Sequence, residues 1–348
     1  MRSLGILLSA AVTAVGVLWW TTPASYPFGA RDRVTVSFSH LFEHDLCGAM
    51  MVAAGLVGIA VSLLGPGPLA RAGAVAEVLF FGVVMSDGGI MSALGYVVAL
   101  SLPVALTVLV VLACVRRRLW GYVALAALVA LIAWVWGPLM TYAGNVTAAF
   151  GSYAGRVAWT FANAVAFGAW VWMALRLYGG ALPRWARPGP AARWGRAATI
   201  GAALCPLPYA AYRLTWLTPW PTDFSATGHA ADLPIRLQGS LLGFAAVVAC
   251  VLTLGLTARW GEVFPRWMPV LHGRPVPVRL PVALGGAVAG ACLLAAPGVT
   301  VNFIEREDLL PLLLFPFPLW GMLLGAAVLA YWLRRGHAGG YAPVSTGG

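Results

Sequence analysis

Runs of about 20 consecutive apolar residues recur along the whole length of this chain. A run of that length, wound as an α-helix, covers the roughly 30 Å hydrocarbon core of a bilayer. The runs cannot be the interior of a soluble fold. Of 348 residues 61% are hydrophobic and 9% charged, whereas a soluble domain carries roughly a quarter charged residues. Too few polar side chains remain to coat the apolar surface. Transmembrane β-barrels are excluded as well, because their strands alternate polar and apolar residues over about 10 positions. The fold class is therefore all-α: a polytopic transmembrane helical bundle.

Ten candidate spans follow, near residues 4–22, 46–64, 69–86, 90–114, 119–137, 156–177, 196–216, 237–257, 280–300 and 309–333. The third is marginal, since its residues cover only about 27 Å at 1.5 Å each. The first also reads as a cleavable signal peptide, with Arg2, an apolar stretch and small residues near Thr22 and Ala24. Retention as a span is the favoured reading. Residues 1–335 are expected to form a single transmembrane domain, followed by a flexible cytoplasmic tail over 336–348.

Arginine placement orients the bundle. The formal charge is +11 and every basic residue is Arg. The arginines lie in short clusters between apolar runs, which argues for orientation signals and against nucleic acid as a partner. With ten spans and both termini cytoplasmic, 16 of the 22 arginines fall inside and 6 outside. If the third segment did not cross, the counts would invert. Nine of the eleven acidic residues fall outside in the ten-span arrangement. An arginine-only, Ala- and Gly-rich chain points to a bacterial plasma membrane. Trp19, Trp20, Tyr209, Tyr212, Trp216, Trp220, Trp260 and Trp267 fall at predicted span ends, where amphipathic rings settle at headgroup depth.

A few residues carry possible chemistry. The outer segment Ser39–Cys47 reads SHLFEHDLC. Were it helical, His40 and His44 would share one face, as in metal-binding pairs. Further ligands would then come from Asp223, His229, Asp232, Glu305, Glu307 or Asp308. The competing reading is a solvated, acid-rich helix start. Glu77 falls in the middle of the third span. A charge at that depth costs a few kcal/mol, so Glu77 should face protein or water, or hold a proton. It is a candidate proton or cation site. Pro206, Pro208, Pro316 and Pro318 break the seventh and tenth spans, as in transporters with discontinuous helices. Asn145, Asn163 and Gln238 read as polar contacts between helices. The five cysteines form no CxxC pair, and no nucleotide, haem or iron–sulfur spacing is present, leaving any cofactor unassigned.

The inner loop 258–281 reads ARWGEVFPRWMPVLHGRPVPVRLP. Arg259, Arg266, Arg274 and Arg279 are expected to hold it against anionic headgroups of the lipid bilayer. This loop, preceded by LTLGLT and by YRLTWLTPWP further upstream, resembles an actinobacterial group of multi-pass membrane proteins. The resemblance covers about 60 residues. It implies a membrane location and supplies no catalytic residues. Three functional classes stay open: a transporter or carrier, which the broken helices and Glu77 favour; a scaffold or accessory subunit; and an enzyme of lipid or cell-envelope metabolism with an outer-face site. A carrier should show a polar mid-membrane cavity shared by the third, seventh and tenth spans.

Overall fold

The computed structural model describes residues 2–28, 36–95, 107–108, 110–111, 114–115, 119–178, 184–218, 233–266 and 272–336. Regular structure among them is helical, and extended pairing is limited to two isolated bridges, Ser37 with Asp87 and Val263 with Pro275. The helices are α1 Arg2–Thr21, α2 His44–Leu63, α3 Pro68–Leu79, α4 Leu119–Ser152, α5 Ala154–Tyr178, α6 Pro188–Leu204, α7 Leu207–Leu214, α8 Leu233–Leu254, α9 Arg279–Glu305, α10 Leu310–Leu314 and α11 Phe317–Gly336. Five stretches are long and apolar enough to cross a membrane: α1, α2, α5, α9 and the α10–α11 stretch Leu310–Arg335. The expected fourth span falls mostly outside the described residues. So do Arg31, Arg33, Arg116, Arg117, Arg118, Trp220, Asp223, His229, Asp232, Trp267 and the tail beyond Gly336.

Helix positions follow the apolar runs, and the differences have local causes. The expected fifth span, 119–137, continues as α4 to Ser152. Hydropathy marks where apolar surface stops, and backbone hydrogen bonding runs on past that point. The expected seventh span is two helices, α6 and α7, interrupted at Cys205–Pro206. The tenth is likewise split, at Phe315–Pro316. Proline lacks the N–H that would continue the ladder and its ring clashes with the preceding turn.

The chain divides into two compact units, Met1–Gly88 with Asn163–Gly348, and Gly89–Ala162. The smaller unit contains α4 and the first turns of α5. In the larger unit α1 and α2 meet backbone to backbone. A Cβ at Gly16 would sit 2.7 Å from Val52 N, and one at Gly48 would sit 2.9 Å from Gly16 O. Small residues permit this approach, which is how helices associate where lipid supplies no hydrophobic drive. Elsewhere α6, α9 and α11 enclose an apolar core of Ala198, Ala202, Leu256, Ala289, Leu324, Ala327, Val328 and Tyr331.

Candidate functional site

Helix α3 turns one stripe inward. Ala70, Ala74, Glu77, Phe81 and Met85 are all buried, at the four-and-three spacing of a helix face. Glu77 is 2% exposed, so the carboxylate faces protein as expected. Among the described residues it has no hydrogen-bond or ion-pair partner. A bare carboxylate in such surroundings is tolerated only with its charge neutralised by a proton or a cation.

One turn beyond Glu77 the helix widens into a π-turn, Phe80–Val84. The Met85 N–H then donates to Phe80 O at 3.0 Å. In an α-helix it would serve Phe81 O, which is left without its usual donor. Asn163 of α5 fills the gap. Its Nδ2 donates to Phe81 O at 3.3 Å and to Met85 O at 2.7 Å. Its Oδ1 is buried without a partner, as is the Ser86 hydroxyl. One turn along α5, the Phe167 ring lies between α3 and α9. A Cβ at Gly82 would meet it at 2.9 Å and one at Gly290 at 3.7 Å. The unpartnered oxygens of Asn163 and Ser86 thus lie where the π-turn meets α5 and α9, while α3 itself, with Glu77, packs on α2.

The outer segment closes over this region. Phe38 N–H donates to Ser86 O (3.1 Å), Gly88 N–H to Val36 O (2.8 Å), and Asp87 N–H to Leu294 O (3.0 Å). Gly298, directly after the in-helix Pro297, is where this backbone crosses α9: an added Cβ would collide with Val36 O and lie 2.9 Å from Ser37 Cα. Ser39 Oγ donates to Val84 O at 3.0 Å, and the Tyr26 hydroxyl bonds the Ser39 and Phe42 carbonyls at 2.9 and 3.0 Å.

The histidine pair is corrected by this geometry. Residues Phe38–Leu41 form a short 3-10 turn, Phe42 and Glu43 are extended, and α2 begins at His44. His40 and His44 therefore do not share a helix face. His40 Nδ1 bonds Ser37 O, and Nε2 lies 3.2 Å from the Glu305 carboxylate. His44 pairs instead with Asp45 at 3.5 Å. Among the described residues Glu305 joins His40, and no group of three metal-ligating side chains gathers there.

The proline breaks meet one another through aromatic side chains. Tyr209 and Phe315 stack across them with ring centroids 4.2 Å apart, and Phe317 continues the stack at 5.4 Å. Behind them lies the apolar core of α6, α9 and α11. Segment 68–84 packs instead on α2 and α9. The π-turn that follows α3 meets α5 and α9. Sequence reading treated Asn163 as ordinary helix contact, because its acceptors arise from a π-turn that no residue spacing announces. The Asp87–Gly88 pair is the one turn signal that marked the place.

On the opposite side of the bundle, Arg259, Arg266, Arg274 and Arg279 are all exposed, as a role at the membrane surface requires. The hairpin that carries them is fixed to α11: Tyr331 donates to Gly261 O at 3.0 Å and Arg334 to Leu256 O at 2.6 Å. Comparison with known proteins adds no assignment to either face: no family model, no curated protein and no solved structure matches this chain.

Proposed function

We propose that the chain is a multi-pass carrier of the bacterial plasma membrane, with Glu77 as an intramembrane proton or cation site. The observation that carries this reading is a carboxylate 2% exposed, without a partner, on the buried stripe of a helix that distorts one turn later. Such distortions recur at functional sites, and an intramembrane carboxylate is a functional candidate in its own right.

The contacts support ten spans with cytoplasmic termini. Segments assigned to the inner side touch one another: Arg71 with Leu177 O at 3.0 Å, and Glu262 with Arg334 and Arg335. Segments assigned to the outer side do the same: His40 with Glu305, Ser37 with Asp87, and Arg236 with Trp216 O. The marginal α3, read with its π-turn, has Arg71 among the groups assigned inside and Asp87 among those assigned outside, which favours its crossing.

The test is labelling with dicyclohexylcarbodiimide, which attacks protonated carboxyls in apolar surroundings. Native membranes at neutral pH should give an adduct on Glu77 that disappears in Glu77→Gln. Protection by sodium identifies a cation site, and labelling indifferent to sodium identifies a proton site. A Glu77 that labels only after unfolding refutes the carrier reading. It would favour a scaffold, the reading to which the dry core of α6, α9 and α11 lends itself.

A further inference from the structure

The inner hairpin borders an open cavity of about 560 Å³, lined among others by Arg259, Trp260, Glu262, Phe264, Arg266 and His272. Its backbone is a built structure rather than a draped loop. Phe264 N–H donates to Arg274 O at 3.0 Å, Gly273 N–H to Phe264 O at 3.1 Å, and Val276 N–H to Glu262 O at 2.9 Å. Gly273 takes the reversal with φ of 70°, a conformation that costs glycine little.

The charges of this hairpin do not cancel. Glu262 is its one acid, and that carboxylate is already held by Arg334 (3.7 Å) and Arg335 (3.9 Å) of α11. Both of those arginines also donate to hairpin carbonyls, Arg334 to Leu256 O and Arg335 to Glu262 O and Val276 O. They fix the fold and absorb its only negative charge. Arg259 and Arg266 therefore face the cavity without an ion-pair partner among the described residues. Two guanidinium groups and an imidazole around a concave surface match the tetrahedral oxygens of a phosphate ester. The adjoining Trp260, Val263 and Phe264 give that surface an apolar side, which suits a ligand with an acyl or glycerol portion.

We propose that this cavity is a binding site for a phosphate ester, with the headgroup of an anionic phospholipid as its occupant. Arg259 and Arg266 take the phosphate oxygens, and Trp260 and Phe264 cover the apolar part. The site is independent of the carrier reading, since it lies on the other side of the bundle from the outer cap and uses none of its residues.

The proposal separates a pocket from general surface charge. Arg274 and Arg279 sit on the same hairpin, are equally exposed, and are not among the cavity-lining residues. Removing two arginines from either pair lowers generic attraction to an anionic surface by a factor of about 25, at roughly 1 kcal/mol per charge. The full-length protein is purified in detergent, and its affinity for phosphatidylglycerol is measured by native mass spectrometry, with phosphatidylcholine as the neutral control. Arg259→Gln/Arg266→Gln should weaken phosphatidylglycerol binding at least tenfold more than Arg274→Gln/Arg279→Gln. Equal losses from the two pairs, or equal retention of the two lipids by the wild type, overturn the site. A competition arm identifies the source of the phosphate. Displacement of the lipid only by short-chain phosphatidylglycerol supports the headgroup. Displacement by inorganic phosphate at millimolar concentration overturns the lipid assignment.

Discussion

Replacing Asn163 by Leu tests the link between α5 and the π-turn of α3. Leucine keeps the branched outline of asparagine and is bulkier, so the change opens no cavity and removes the hydrogen bonding. Two bonds are lost, to Phe81 O at 3.3 Å and to Met85 O at 2.7 Å. Hydrogen bonds between membrane helices contribute about 0.6 kcal/mol each on average and up to about 1.7. The pair should therefore contribute about 1–3.5 kcal/mol. The upper half of that range applies, because the π-turn leaves Phe81 O no other donor and Asn163 is 1% exposed. At about 2.1 cal/mol/K of unfolding entropy per residue, a chain of 348 residues moves about 1.4 °C per kcal/mol, so the variant should melt about 3–5 °C lower. The assay is fluorescence-detected melting of the purified protein in mild detergent, with Asn163→Val as a smaller apolar companion that likewise lacks both amide N–H donors. A melting temperature within about 1 °C of wild type for both variants would refute the account, since each leaves the carbonyls of the π-turn bare.

Three further outcomes are expected. Alkaline phosphatase fused after Arg335 should be inactive and fused after Asp232 active; the reverse pair removes the ten-span topology. Gly55→Val should loosen α1 from α2, because its Cβ would lie 2.7 Å from Ser9 O and 2.8 Å from Thr13 N. A loss of about 1–3 kcal/mol is expected in the same melting assay, and an unchanged melting temperature contradicts the close crossing. Tyr26→Phe removes the donor to Ser39 O and Phe42 O and should cost about 1–3 kcal/mol, measured by denaturant titration of the purified protein; stability equal to wild type would mean that water serves those carbonyls.

Helix location was legible because membrane spans are written as unbroken apolar length, and the interruptions at Pro206 and Pro316 were written as proline. Helix orientation was mostly illegible for the same reason. Leu-, Ala- and Val-rich spans are apolar on every side, so no periodic contrast tells which face meets lipid. Glu77 was the exception: a single carboxylate breaks the symmetry and fixes the inward face of α3. Which helices would meet α3 could not be read, since the contacts are chosen by small residues such as Gly82, Gly290 and Gly298, and glycine is common throughout the chain. His40 and His44 share no helix face because Phe42 and Glu43 are extended and divide the segment between two elements, a break that their spacing does not announce. The hairpin of the inner loop kept its arginines exposed as expected. Its attachment to Arg334 and Arg335 joins residues some 70 positions apart, a distance over which residue pattern carries no signal.

The backbone bonds of the outer cap set the resting population of the molecule. Opening at that end requires Phe38 to part from Ser86, Gly88 from Val36, and Asp87 from Leu294. At roughly 1 kcal/mol net for each, the open form lies about 3 kcal/mol above the closed one, and fewer than about 1 molecule in 100 is open at any instant. On the proposed carrier reading, a solute reaching that end would meet a binding-competent state only in that fraction, and its apparent affinity would be about a hundredfold weaker than the intrinsic one. Such a carrier would respond best to solutes present at high concentration, or to a second event that releases the cap first.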